Sequence, residues 1–262
     1  MQRKILSVIP EDFPDDIRRF IGEAVLFDSS CSPEARVYFI DKNEGYYLKR
    51  SFSGSLEREA QMNAYFHSKG LAPEVLKYVT MDGHDWLLSA AARGEDLIHN
   101  DYLSEPKRLA VRLGEILRSL HETDYTGCPV MNRTAEYLAF TDKNYAAGSY
   151  NKSAFPDNFG YRSSEEAYAV LSSGRSQLRS DTLIHGDYCL PNIMLDGWHT
   201  HTFIDLGNGG VGDRHIDLFW GSWSLWFNLK TNSYRDLFLD AYGRDKINYA
   251  LLRVIAAAEV FG

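Results

Sequence analysis

Short runs rich in Val, Tyr, Phe and Ile alternate with turn signals over the first ninety residues, and a helical period takes over after them. "EAVLFD", "ARVYFID" and "GYYLKR" are predicted strands, and "DKNEG" (Asp41 to Gly45) between the last two has hairpin-turn chemistry. After Ser53-Gly54-Ser55 the spacing lengthens. Leu56, Ala60, Asn63, Ala64 and the Tyr65-Phe66 pair fall near helical positions, with Ser55 as the expected N-cap and Gly70 as the stop. "EVLKYVT" and "DWLLSA", on either side of the Asp82-Gly83 turn, return to strand character. A β-rich lobe carrying one helix is expected.

From "SEPKRLAVRLGEILRSLHET" onward, Leu109, Leu113, Ile116, Leu117 and Leu120 lie on one face of a helix that Ser104-x-Pro106 can start. Residues 141 to 164 have no clean period and read as a loop or an irregular helical insertion. Three helical segments follow near the end of the chain, roughly "DRHIDLFWGSWSLWFNL", "YRDLFLDAYG" and "KINYALLRVIAAAEVF". The change of period falls near Ala90-Ala91-Ala92-Arg93-Gly94, where small residues suit a hinge with accessible backbone. The expected fold is therefore α+β, with an antiparallel β-sheet lobe over residues 1–92 and a mainly helical lobe over residues 93–262.

Composition narrows the class. The 262 residues are 44% hydrophobic and 13% aromatic, enough for a substantial core. A net charge of -8 with scattered lysines and arginines argues against nucleic acid or anionic lipid as partner and favours a cationic small molecule. The apolar part of "MQRKILSVIPEDF" is too short for a signal peptide, and no run approaches a membrane span. Cys31, Cys128 and Cys189 suggest neither a disulfide framework nor a metal knuckle, so a reducing, cytoplasmic setting is expected.

The chemistry concentrates between His185 and Gly210. In "LIHGDYCLPN" Asn192 follows Asp187 by five positions, and a loop can bring both side chains to one point. Further on, "HTFIDLG" is a strand that delivers Asp205 at its end beside Gly207. Two aspartates and an asparagine supply the hard oxygens that Mg²⁺ prefers when it also holds nucleotide phosphates, and Asp187, left off the metal, can accept a proton. Taken singly, Gly-Asp and Asp-Gly pairs mark turns; the combination is what points to a site.

"HGDYCLPN" followed by "FIDLG" resembles the catalytic and metal-binding loops of the aminoglycoside 3'-phosphotransferases, which share the bilobal protein-kinase-like fold, and the resemblance extends through most of the chain. It implies that Asp187 is the base toward a sugar hydroxyl, and that Asn192 and Asp205 bind Mg²⁺ bridging the phosphates of ATP, or of GTP. It implies, too, that Lys49 in "GYYLK" reaches the α and β phosphates, with Glu59 in "LEREA" holding it. Ser32 in "SSCSPEARVY" stands near the terminal phosphates, Tyr47 stacks on adenine, and backbone groups of Ala90 and Ala92 meet the adenine edge. Glu259, the terminal carboxylate of Gly262 and Asp157 are the candidates for substrate amines. Asp213, Arg214, Asp217 and His185 are assigned to bracing the catalytic loop. The resemblance leaves open whether the enzyme is a monomer or a homodimer.

Three positions depart from the family pattern: Asn208 stands where an arginine is usual, Gly262 follows the terminal Phe261, and the helix that normally presents acids reads "WGSWSLWFNLK". Trp220, Trp223, Trp226 and Phe227 are core residues by default, and any that face the cleft favour a flatter or less charged acceptor. The alternative acceptor is thus another hydroxyl-bearing metabolite. A rival from a different class is a metal-dependent hydrolase using His185, Asp187, His199, His201 and Asp205, although "DGWHTHTF" reads as a hairpin rim with both outer histidines exposed. A nucleotide-binding module without turnover is a third reading, against which the full set Lys49, Glu59, Asp187, Asn192 and Asp205 counts.

Overall fold

The computed structural model describes residues 4–6, 9–30, 35–151 and 159–262. The chain divides into two compact units: residues 1–94 with 202–207, and residues 95–201 with 208–262.

The first unit is built on a six-stranded antiparallel sheet. Its strands are β1 (Lys4–Leu6), β2 (Val25–Asp28), β3 (Arg36–Asp41), β4 (Tyr46–Phe52), β5 (Val75–Met81) and β6 (His84–Ala90), in the order β1-β2-β3-β4-β6-β5. The expected strands fall where the apolar runs placed them. The sheet unit holds, besides the expected helix, a seven-residue helix α1 (Asp15–Ile21), whose Ile17 and Ile21 pack with Phe13 against Leu26, Ile40, Leu48 and Trp86. The expected helix is α2 (Glu57–Ser68). Its start is not capped by Ser55, whose hydroxyl donates to the carbonyl of Phe52. The fully buried carboxylate of Asp85, on β6, instead accepts from the backbone N–H of Leu56 at 3.0 Å. A carboxylate at a helix start meets unpaired N–H groups and the positive end of the helix dipole, so it replaces a local cap from a distant strand.

The second unit is mainly helical. Strand β7 (Glu95–Asp96) and helices α3 (Asn100–Leu103) and α4 (Pro106–His121) open it, followed by α5 (Arg133–Ala146) and α6 (Ser164–Gly174). Strands β8 (Thr182–Ile184), β9 (Ile193–Asp196), β10 (Thr200–Phe203) and β11 (Gly210–Gly212) come next, and α7 (His215–Leu229), α8 (Arg235–Tyr242) and α9 (Tyr249–Ala258) close the chain. β11 pairs with β8, and β9 lies between β10 and β7. The end of β10 and the turn after it belong to the sheet unit, where Phe203 donates its N–H to Leu71 and sets its ring edge-on to Phe66.

All five apolar positions read from the α4 stripe are fully buried. Residues 141–146, expected to lie in an irregular stretch, complete α5, and α6 begins at Ser164, whose predecessor Ser163 accepts from the N–H of Glu166. α5 turns Thr134, Tyr137 and Thr141 inward and α6 turns Ala167, Leu171 and Gly174, so neither shows an apolar stripe. Together with α9 and the C-terminus they enclose the helical core around Ile184, Leu171, Ile255 and Phe261. Among the described residues no helix is long and apolar enough to cross a membrane.

Gly114 lets α4 and α8 approach closely. A Cβ there would lie 2.4 Å from the carbonyl oxygen of Phe238 and 2.9 Å from the backbone nitrogen of Tyr242, both on α8. Backbone cannot swing aside as a side chain can, so Gly114→Ala is expected to cost about 1–3 kcal/mol through forced separation of α4 and α8. Chemical denaturation checks this: the midpoint should fall at constant slope, and an unchanged midpoint would contradict the packing.

Candidate active site

In the sheet unit, alternation along β4 sends Leu48 into the core and Lys49 to the other face, opposite Val37 on one side and Leu87 on the other. Lys49 Nζ meets both carboxylate oxygens of Glu59, at 3.0 and 2.8 Å, and Oδ1 of Asp205 at 2.8 Å. Three of the expected site residues, drawn from β4, α2 and the turn after β10, therefore meet at one ammonium. Burial alone disfavours that charge, but the carboxylates of Asp205 and Glu59 outweigh it and raise the Lys49 pKa, keeping the amine protonated. Asp205 adopts a left-handed backbone, φ 57°, uncommon for a residue with a Cβ, and its side chain is half exposed.

On the same sheet, Tyr47 lies opposite Ser89 with its ring 5.2 Å from that of Phe39. The N–H of Ala90 is spent on the carbonyl of Glu74 and that of Ala91 on Gly45. Of the backbone groups expected at the hinge, the N–H of Ala90 is therefore already engaged within the sheet unit. Ser32 lies outside the described residues.

In the helical unit, β8 is buried along its length and delivers His185 and Gly186 to the mouth of a tight loop. Gly186 has φ 82°, and a Cβ on it would lie 1.9 Å from the carbonyl oxygen of Asn208, so only glycine fits. The loop is held by Asp217 from the first turn of α7: Oδ2 accepts from the N–H of His185 and Oδ1 from that of Gly186, each at 2.7 Å. His121 on α4 adds a third contact, Nε2 to Asp217 Oδ2 at 3.1 Å, while its Nδ1 sits 2.9 Å from the hydroxyl of Tyr242. Burial lowers the His121 pKa despite the carboxylate, so the ring is neutral, donating from Nε2 and accepting at Nδ1. Asp213 and Arg214 act one step further back. Asp213 accepts from the N–H of Arg179 and pairs with His215, and Arg214 donates to Thr182, which fixes the lead-in to β8 rather than the loop itself.

The loop brings Asp187 and Asn192 together. Asn192 Nδ2 donates to Asp187 Oδ2 at 2.9 Å and to the Asp187 carbonyl at 3.0 Å, and His185 Nδ1 accepts from the N–H of Asp187. With its amide nitrogen so engaged, Asn192 presents its Oδ1 as a hard donor. That oxygen and the half-exposed carboxylate of Asp205 are of the type a Mg²⁺ ion takes, one or two protein oxygens with the rest from water and phosphate.

The expected acceptor residues are placed differently. Glu259 is buried, with Oε1 accepting from Tyr137 Oη at 2.7 Å and from Trp220 Nε1 at 3.0 Å. Burial raises its pKa to about 7 against the pull of those two donors. Gly262 is exposed, and its N–H donates to the Glu259 carbonyl while Asn144 fixes the carbonyl of Phe261. Asp157 lies outside the described residues. His201, expected on an exposed rim beside His199, is half buried, and burial next to Arg112 lowers its pKa to about 4. No three His, Cys, Asp or Glu side chains converge as metal ligands among the described residues, which leaves the hydrolase reading without a ligand set there.

One residue was missed in the sequence. Arg133, at the start of α5, donates from Nε to the carbonyl of Asn208 and from a terminal nitrogen to its Oδ1, at 3.0 and 3.1 Å. A guanidinium thus stands beside the position where the family pattern has an arginine. It comes from 75 residues upstream, and no local motif announces it.

A model described as the phosphotransferase enzyme family matches residues 31–255. A probable aminoglycoside 3'-phosphotransferase of Lactococcus lactis subsp. lactis (strain IL1403) is 47% identical over 259 residues, covering 99% of this chain and 98% of that one. The crystal structure of an aminoglycoside 3'-phosphotransferase of type VIII shares the fold with a TM-score of 0.74 at 22% identity, over 94% of this chain and 97% of that one. An aminoglycoside phosphotransferase from Streptomyces rimosus, in complex with ADP and streptomycin, does so at 0.69 and 20% identity, over 87% and 91%. With a family model matched over most of its length and a relative at nearly half identity end to end, the chain belongs to the aminoglycoside phosphotransferase family, a family of phosphotransferase enzymes.

Proposed function

We propose that this enzyme transfers the γ-phosphoryl group of ATP to a hydroxyl of an aminoglycoside, with residues 1–92 binding the nucleotide and residues 93–262 carrying the base and the acceptor site. The observation that carries this reading is the Asp187–Asn192 pair on a loop whose entry is held by a buried carboxylate.

Asn192 orients the Asp187 carboxylate through Oδ2, and that carboxylate accepts the acceptor's hydroxyl proton as the hydroxyl oxygen attacks the γ-phosphorus and ADP departs. Phosphoryl transfer asks for alignment and charge neutralisation more than covalent help. Lys49, kept protonated by Glu59 and Asp205, supplies a fixed positive charge for the α and β phosphates. Mg²⁺, held by Asn192 and Asp205, neutralises phosphate charge when bound. Tyr47 stacks on the adenine, Ala90 accepts from its amino group and Ala92 donates to its ring, while Ser32 faces the terminal phosphates. The carboxylate of Gly262 and Asp157 meet the acceptor's amines, while Glu259, buried with its Oε1 taken by Tyr137 and Trp220, braces the chain end instead. The S. rimosus relative bound to ADP and streptomycin supports the pairing of nucleotide and aminoglycoside. A second reading, a kinase of another hydroxyl-bearing metabolite, rests on Trp220 of α7, whose Nε1 donates to Glu259 at 3.0 Å and sets an aromatic ring beside that chain end. A coupled ADP-release screen across kanamycin-type aminoglycosides and common alcohol metabolites separates the two, with turnover on the aminoglycosides expected.

Asp187→Asn is expected to lower kcat by roughly 10²- to 10⁴-fold, the usual reach of general base help, with little change in ATP affinity. Steady-state kinetics with the best acceptor check it, and near-normal kcat would remove Asp187 as the base. Asp205→Ala is expected to abolish Mg·ATP use in a chain whose circular dichroism is unchanged. A Mg²⁺ titration of turnover matching the parent's would show that Asp205 is not a ligand.

A further inference from the structure

The helical unit contains a cavity of about 570 Å³ on the face of α7 turned away from the catalytic loop. That size is within the range of ordinary small-molecule sites. Position along the helix separates the two faces. Asp217, Gly221 and Ser224 point one way: Asp217 holds His185 and Gly186, a Cβ on Gly221 would touch Tyr188, and Ser224 Oγ accepts from the N–H of Leu190. Phe219, Ser222, Trp223 and Trp226, at helical spacing on the opposite side, line the cavity together with Arg235 of α8 and Arg253 of α9.

Its chemistry is unlike that of a site for a polycation. No carboxylate among the described residues lines it, although the chain as a whole carries -8. Both arginine side chains are exposed, and neither is paired with a carboxylate among the described residues. The walls are aromatic: Trp223 lies 6.3 Å from Trp226 between ring centroids, and Phe159 sets its ring 5.3 Å from that of Phe219. Within this wall Ser222 is nine-tenths buried, and its Oγ has no hydrogen-bond partner among the described residues, not even the preceding helical turn that usually takes a serine hydroxyl. A buried hydroxyl left unpaired is costly unless a ligand completes it.

We propose that this cavity is a second binding site, separate from the catalytic loop, for a planar aromatic molecule bearing an acidic group. The ring lies against Trp223, Trp226 and Phe219, the anion is held by Arg235 and Arg253, and Ser222 Oγ supplies a polar contact within the wall. Aromatic faces give such a ligand area at little conformational cost, and a pair of guanidinium groups selects carboxylate or sulfonate over ammonium.

The test is a charge series on one ring, read by isothermal titration calorimetry on the full chain without nucleotide. Naphthalene-2-carboxylate is expected to bind, and naphthalen-2-ylmethylammonium to bind at least about tenfold more weakly, with a preference that shrinks as salt rises. Arg235→Gln/Arg253→Gln, both exposed and so expected to leave the unfolding midpoint unchanged, should erase the preference, and Ser222→Ala should weaken the carboxylate alone. Equal or tighter binding of the ammonium would overturn the proposal and make the cavity an annex for cationic acceptors. Absence of heat with either compound at millimolar ligand, or an unchanged preference in the double variant, would overturn it as well.

Discussion

A single buried carboxylate organises the helical unit. Asp217 is fully excluded from solvent, and it takes the backbone N–H groups of His185 and Gly186 and the imidazole of His121. Burying a carboxylate costs several kcal/mol unless its lone pairs are filled, so these three donors and Asp217 stabilise one another as a set. The consequence is geometric: the strand that ends at Ile184, the helix that carries His121 and the helix that begins at His215 are tied at one point, two residues before Asp187. The steric fit of Gly186 under the Asn208 carbonyl tightens the same turn from the other side.

The sheet unit solves a different electrostatic problem. Two carboxylates share one ammonium, and together they keep Lys49 protonated against its burial. Glu59, the more buried of the two carboxylates, holds the ammonium from α2, and the half-exposed Asp205 reaches it from the turn after β10. The left-handed backbone at Asp205 is the kind of local strain that a scaffold retains where a side chain must be aimed.

Long elements with apolar packing faces were legible in the sequence, whereas the seven-residue α1, too short to show a period although Ile17 and Ile21 are buried, and the helices α5 and α6 with polar or small packing faces were not. The α4 stripe of leucines and isoleucine was unmistakable, because every one of those side chains is core. α5 buries two threonines and a tyrosine and α6 buries small residues, so their periodicity is carried by positions that a hydropathy pattern does not register. The site divides likewise. Asp187, Asn192 and Asp205 stood out because their spacing is local and their chemistry is distinctive, whereas Lys49 and Glu59 were legible only through the resemblance to the family. Partners joined only by folding, such as Asp85 at the start of α2, His121 on Asp217 and Arg133 on Asn208, left no mark in sequence spacing, since 29, 96 and 75 residues separate the members of each pair. The serine cap expected at Ser55 failed for the same reason: a distant carboxylate outcompeted a local hydroxyl.

Asp217, through two backbone N–H groups, holds the loop that presents Asp187. Residue-resolved amide hydrogen exchange in Asp217→Asn tests it most directly, because the amide side chain keeps the shape and loses one of the two acceptors. Faster exchange at His185 and Gly186, with α4 protection at Leu113 and Leu117 unchanged, is expected if Asp217 holds the loop. Exchange at His185 and Gly186 as slow as in the parent chain would contradict it.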